Sequence, residues 1–366
     1  MMTSKTGPSI FVPSDKNVFD ALLQKRVTHS SLLGFLIDRG IFVSPKTEKY
    51  ELVNLISSLT LDYHDYIWIT TQLEHHNRKE KSTYSVVKAE VSTDELDKAC
   101  QQVREKMNLS EEAVKVVKTR SSTKIIVTYI DVDFTKTELN QRTKKTCEVE
   151  LHSKEGELLI KMPSNPKAKE ITKYLKDSLN EQKGTEIEEF VISLESFAEA
   201  KARSYFFNRL ITSIEGFNFD NVSSVDVYHD VDSLDEDEDE DENNSDVSAR
   251  IAGYITKAVL AGNGVLESKE FSQLHKENFF ISKIVWTSSS KIFGGDKIEL
   301  EAQFGHPSSC TDFKYLVRGV YNYNDRTKLH NISRRSATPV ENREYCGLIR
   351  QAAEKAYKAV FEEYGS

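Results

Sequence analysis

Apolar side chains recur at two periods along the chain, and the change of period divides it. Leu32, Leu33 and Leu36, then Leu52, Leu55, Ile56 and Leu59, fall three and four residues apart, which stacks each set on one face of a helix. Between the two helices, Gly40 stands where a helix ends in a left-handed residue. Ile41 and Phe42 are expected to plug the turn, and Ser44-Pro45 to open an extended loop. Tyr63, Tyr66, Ile67 and Trp68 are expected to extend this packing. "STDELDKACQQVREKMNLS" offers a Ser/Thr/Asp start followed by helix formers and predicts a further helix over 92–110. From Lys124 the period falls to two. "TKIIVTYIDVDF" predicts a strand, and "KTCEVELHSKEGELLIKMP" a hairpin turning near Lys154-Glu155-Gly156.

Helices follow over 165–180, with Pro166 at the first turn, and over 196–214, where Phe197, Tyr205, Phe206 and Leu210 make a core face. A short apolar element is expected at 187–194 and a strand at 223–229. "ARIAGYITKAVLAG" (249–262) and 268–278 read as helical. Strands are expected at 279–289, 296–306 and 312–324, and an amphipathic helix closes the chain over 341–364. The fold class is therefore α+β: an N-terminal helical hairpin followed by two regions of antiparallel sheet with flanking helices. The expected organisation is a mainly helical 1–120, an α+β domain over 121–229, an acidic linker or loop at 230–249 and an α+β domain over 250–366. The sheet-then-helix order on both sides of the linker raises an internal duplication, although identity between the halves is too low to assert one.

The segment 27–61 carries the most specific pattern: a helix, Arg39-Gly40-Ile41, a loop with Ser44 and Lys46, then Glu51-Leu52-Val53 leading to Leu55-Ile56. It resembles the SAP-type helix–extended loop–helix module, a small fold that binds DNA in many proteins. The glycine usual before the loop lysine is absent here, and Pro45 stands nearby. The resemblance implies that Arg39, Lys46 and Lys49 meet phosphate. The same pattern equally suits a helical hairpin packed on a neighbouring domain or a protein partner.

Composition moves the picture toward a cytoplasmic globular protein. At 38% hydrophobic and 29% charged residues the chain can build cores beneath a well-solvated surface. It contains no apolar run of membrane-spanning length, and "MMTSKTGPSIF" lacks the apolar core of a leader. No membrane partner is expected. Eleven of the 58 acids lie between Asp230 and Asp246, without a lysine or arginine among them; setting these aside leaves 47 acids against 49 bases. The formal charge of −9 thus belongs to "SLDEDEDEDENNSD", which reads as a solvated linker or, more sharply, as a mimic of a phosphate backbone.

Enzymatic motifs are sparse. Cys100, Cys147, Cys310 and Cys346 are scattered without metal-ligand spacing, and His75-His76 have no cysteine partners, so neither a metal nor a cofactor is expected. Phosphate-loop and serine-hydrolase signatures are missing. Asp296, Glu299 and Glu301 with Lys297, or Asp131 and Asp133 with Glu148 and Glu150, could serve a metal-dependent nuclease. Strand alternation explains them as well, with Ile298, Leu300 and Ala302 inward and the glutamates on a polar face. Between Thr311 and Arg350, eight bases face four acids, and Tyr315, Tyr321 and Tyr323 alternate beside guanidinium groups. Rings and cations in that order suit stacked bases and phosphates. Arg318, Arg326, Arg334 and Arg335, the last two in the loop "NISRRSATP", join Arg39, Lys46 and Lys49 as candidate nucleic-acid contacts. The leading expectation is a non-catalytic subunit that binds or recruits nucleic acid, with DNA favoured. The alternatives are a protein–protein adaptor in a larger assembly such as a bacterial genome-defence complex, and a divergent nuclease.

Overall fold

The computed structural model describes residues 13–73, 80–108, 112–154, 156–229, 257–262 and 264–365. The acidic run and His75-His76 lie outside them. Two compact units result, one formed by 1–78, 100–117 and 124–148, the other by 79–99, 118–123 and 149–366.

The first unit opens with four helices: α1 (Asp15–Leu22), α2 (His29–Asp38), α3 (Lys49–Ser57) and α4 (Tyr63–Leu73). Local chemistry sets their ends. Ser14 and Asn17 form a capping box on α1, and the Thr28 hydroxyl accepts from the Ser31 amide at 3.1 Å to start α2. After α2, Gly40 turns left-handed at φ 74°, as its position predicts. Leu22, Leu32, Leu36, Leu52, Ile56, Ile69 and Leu73 close into one core against which Tyr66 and Trp68 pack. Phe42 does not plug the turn, since it is 81% exposed, and Tyr63 and Ile67 also face outward. The periodic stripes fill the core before these residues can reach it. A 3-10 turn at Glu138–Asn140 packs on α1, and Gln24 donates to the Thr137 hydroxyl at 2.9 Å. Strands β2 (Ala113–Lys118), β3 (Thr123–Val132) and the first half of β4 (Arg142–Lys154) are neighbours in that order.

The second unit is built on antiparallel strands. Its elements include β1 (Ser82–Val87), β5 (Glu157–Pro163), α6 (Pro166–Lys183), β6 (Glu189–Phe190), α7 (Ala200–Thr212), β7 (Phe217–Tyr228), β8 (Lys257–Ala261) and α8 (Lys269–Lys276). They continue through β9 (Phe280–Ser290), β10 (Lys297–His306), β11 (Thr311–Tyr321), β12 (Tyr323–Asn324), β13 (Leu329–His330) and α9 (Pro339–Tyr364). Helix α5 (Thr93–Asn108) begins here with Glu95 bonded back to Ser92. In hydrogen-bonded order the strands run β5-β1-β11-β10-β9-β7-β8, with β6 on β1 and β12 paired with β13. One face carries the aromatic core. Phe206 and Phe207 of α7, with Ile349, Ala353 and Val360 of α9, cover Trp286, Ile298, Leu300, Phe304 and Phe313. Helix α6 packs on β5, where Thr172 reaches the Met162 sulfur at 3.0 Å.

Several elements differ from the pattern's reading, among them β2 (Ala113–Lys118), where the pattern predicts no strand. Ser82–Val87, which the pattern left unassigned, is a strand placed between β5 and β11. Lys257–Ala261, read as helical, is a strand paired from Ser224↔Ala261 to Tyr228↔Lys257. Alanine and leucine suit either state there, and the free edge of β7 decides it.

Candidate functional site

The densest arrangement of charged side chains lies on the face of β10 and β11 turned away from the aromatic core. Alternation predicts a polar face for Glu299 and Glu301, but both are buried. Longer side chains from neighbouring elements close over them. Opposite Glu299 and Leu300, β11 carries an extra residue between Val317 and Gly319. This bulge brings Arg318 over both glutamates, with Nε 3.2 Å from Glu299 Oε1 and Nη1 3.1 Å from Glu301 Oε2. Arg334 closes on Glu299, and the Tyr321 hydroxyl donates to Glu299 Oε2 at 2.9 Å. Burial, then this bond, raises the Tyr321 pKa above its ordinary value. From β1's start, Lys81 reaches Glu301 Oε1 at 2.7 Å and also contacts Gln303.

Arg334 and Arg335 arrive through a close backbone approach. Arg335 exchanges both amide–carbonyl bonds with Val320 at 2.9 Å, taking the edge of β11 beyond the start of β1. Gly319, at φ 152°, makes room for it: a Cβ there would stand 2.3 Å from the Arg335 carbonyl oxygen and 2.6 Å from Arg334 Cγ. Arg335 then binds Glu341 through two parallel 2.7 Å bonds, donates to Asn322 Oδ1 at 2.7 Å and faces Asp296 Oδ2 at 3.3 Å. Glu341 also accepts from the amide and hydroxyl of Thr338, forming the capping box that starts α9. The Arg335 guanidinium, with help from those Thr338 donors, holds the Glu341 carboxyl down to about 2.

This geometry argues against a divalent cation at Asp296, Glu299 and Glu301. Their oxygens accept from guanidinium, ammonium, amide and phenol donors, and Lys297 pairs instead with Asp220 at 3.3 Å. Among the described residues, no group of three His, Cys, Asp or Glu side chains is disposed to hold a metal ion. In the other acid set, Asp131 pairs with Lys145 at 2.6 Å, Asp133 with Lys136 and Thr135, and Glu148 with Lys124. Tyr315, grouped by sequence with exposed rings, is buried in the core; only Tyr321 and Tyr323 approach the charged face.

The N-terminal candidates form a separate group. Arg39 joins the end of α2 to α4, with Nη1 2.5 Å from Asp65 Oδ2 and Nη2 2.9 Å from the Thr60 carbonyl oxygen. Lys49 donates to the Gln24 and Leu23 carbonyl oxygens at 2.6 and 3.2 Å, capping the end of α1, and burial lowers its pKa. Lys46 is exposed, and its amide donates to the Ser44 hydroxyl at 3.2 Å. Arg326, at the β12–β13 turn, is also exposed, with its amide on Asn324 Oδ1 at 3.0 Å. Of the seven candidates, the fold therefore brings Arg318 and Arg334 together on Glu299, gives Arg335 a second set of partners in Asp296, Asn322 and Glu341, and leaves Arg326 at the hairpin tip. Sequence reasoning did not find Glu341, Asn322, Lys81 or Gly319 as members of these two groups; the capping spacing Thr338 to Glu341 was the one signal available.

Residues 16–81 match the family model described as GAPS4b protein N-terminal domain, which takes in α1 to α4 and carries no SAP-type description. No curated protein matches the chain.

Proposed function

We propose that the chain is a non-catalytic adaptor subunit of a bacterial defence assembly, docking a protein partner through its N-terminal helical unit. The name of the family matched over residues 16–81 supports the defence context. One observation carries the docking. Arg39 and Lys49 donate to Asp65 and to backbone carbonyls inside the unit, while Phe42 is 81% and Tyr63 73% exposed, with Ile37, Tyr50 and Ile67 also outward. Large apolar groups gathered on a small helical unit suit burial against another protein, where aromatic anchors carry most of the energy.

A second reading keeps nucleic acid as a ligand, favoured by the exposed Lys46 and Arg326. It requires Arg318, Arg334 and Arg335 to exchange carboxylates already in place for phosphate.

The test is affinity purification of the tagged full chain at native expression, with quantitative mass spectrometry. A stoichiometric partner kept by wild type and lost from Phe42→Ser/Tyr63→Ser, with unchanged circular dichroism, is the expected result. Absence of such a partner, or its equal recovery by the variant, overturns the adaptor reading.

A further inference from the structure

Within the sheet unit, the β9–β10 turn and the β12–β13 hairpin form a tip whose chemistry neither the ion pairs on β10 nor the adaptor reading uses. Ile292 is 77% exposed, Phe293 86%, Leu329 68% and Ile332 100%. This exposure does not come from a loose loop. The Phe293 ring lies 6.1 Å from Tyr323, whose ring lies 5.5 Å from His330, and His330 Nε2 bonds the Gly295 carbonyl oxygen at 3.0 Å. Asp296 Oδ1 accepts from the Tyr323 amide at 2.9 Å, and Tyr323↔His330 and Asn324↔Leu329 are paired residues. The scaffold beneath the apolar side chains is therefore fixed before anything binds, which lowers the ordering cost of association.

Charge at the tip is mainly positive, and the neighbouring Asp296 carboxylate pairs with Arg335. Lys291, Arg326 and Lys328 are exposed and have no ion-pair partner among the described residues, and the stretches 291–295 and 323–333 contain a single carboxylate, Asp325. Lys328 holds a left-handed φ of 56°, a conformation that glycine or asparagine adopts more cheaply. An apolar centre rimmed by unpaired cations complements an apolar segment flanked by carboxylates.

We propose that this tip docks a protein segment that combines aliphatic or aromatic side chains with aspartate and glutamate. The proposal rests on the adaptor reading and adds a second contact of stated chemistry. Three of the four central side chains are aliphatic and offer no stacking surface, so a protein segment fits the centre better than a nucleic-acid backbone does.

Random peptides of about twelve residues, displayed on phage, are selected against the full chain at near-physiological salt. The enriched sequences are then synthesised and their affinities measured by anisotropy. The expected winners carry apolar residues together with Asp or Glu, and bind about tenfold or more weakly to Phe293→Ser/Ile332→Ser and to Arg326→Glu/Lys328→Glu. Leu329→Ser serves as the apolar variant if the double substitution fails to fold. Neutral or basic winners, no winners, or affinities unmoved by these changes overturn the proposal. So does tip-dependent binding to vesicles of roughly a quarter phosphatidylglycerol in phosphatidylcholine without peptide enrichment, which assigns the tip to a lipid surface. If deleting residues 233–246 raises peptide affinity about tenfold or more, the chain's own acidic run is the occupant and a partner segment is ruled out. A partner that co-purifies equally with tip variants but not with Phe42→Ser/Tyr63→Ser leaves the adaptor reading standing and removes the tip from it.

Discussion

Glu299→Gln keeps the shape of a buried side chain and removes its charge from the centre of the arginine network. In the folded chain Glu299 accepts from Tyr321 at 2.9 Å, faces Arg318 at 3.2 Å and contacts Arg334. A hydrogen bond to a charged group contributes about 1.5–3 kcal/mol, and breaking a buried pair from one side costs about 3–5 kcal/mol. The guanidinium partners set the discount. Arg318 and Arg334 retain 34% and 32% of their side-chain exposure, so water re-solvates them when the carboxylate is gone. The expected loss is about 2 kcal/mol. Arg334→Ala should cost about 1 kcal/mol, because Arg318 and Tyr321 still face the carboxylate, and the double variant should show a coupling of about 1 kcal/mol. The chain's two tryptophans make the assay specific. Trp68 belongs to the helical unit, whereas Trp286 is buried in β9 opposite Leu300. In a Trp68→Phe background, urea unfolding followed by Trp286 fluorescence reports on the sheet unit alone. A Glu299→Gln change below about 0.5 kcal/mol with no coupling to Arg334 would refute the reasoning, since that is the range of surface substitutions without partners.

Two further outcomes follow from the contacts of Arg335. Glu341→Gln should destabilise the chain by about 1–2 kcal/mol at pH 7 through loss of the Arg335 bonds and the cap. Its carboxyl, ordinarily near 4.5, is held at about 2 in the folded chain, so the gap between wild type and variant is complete above about pH 4.5 and shrinks as pH falls toward 2; urea midpoints measured across that window check it, and a constant gap contradicts it. Gly319→Ala should lower stability by about 2 kcal/mol or more, because the added Cβ meets the Arg335 carbonyl oxygen at 2.3 Å; unchanged protection of the Arg335 and Val320 amides in hydrogen exchange would show that the edge pairing survives.

The sequence announces elements whose signal is local. The stripe Leu52, Leu55, Ile56 and Leu59 predicts α3, Pro166 marks the start of α6, and "DKIELEAQF" alternates as β10 does. It conceals what neighbours decide. "STYSVV" is too short and too polar to declare β1, and "KAVLA" becomes a strand only because β7 offers it an edge. The candidate site follows the same division. Arg334 and Arg335 are visible as a basic pair, but their carboxylates come from β10 and α9, and the glycine that admits them lies fifteen residues before Arg334. Counting charge along the chain therefore overstates the positive surface, because it cannot see which cations are already answered.

Fluorescence anisotropy of labelled double-stranded DNA, single-stranded DNA and RNA, with the full chain at low and near-physiological salt, tests most directly whether Arg318, Arg334 and Arg335 are committed to carboxylates. Any affinity observed should change less than about twofold in Arg334→Ala/Arg335→Ala, with the salt slope preserved. Salt-sensitive binding that falls about tenfold or more in that variant while its circular dichroism is unchanged, with a slope reduced by about two phosphate contacts, would contradict the account and return these arginines to nucleic acid.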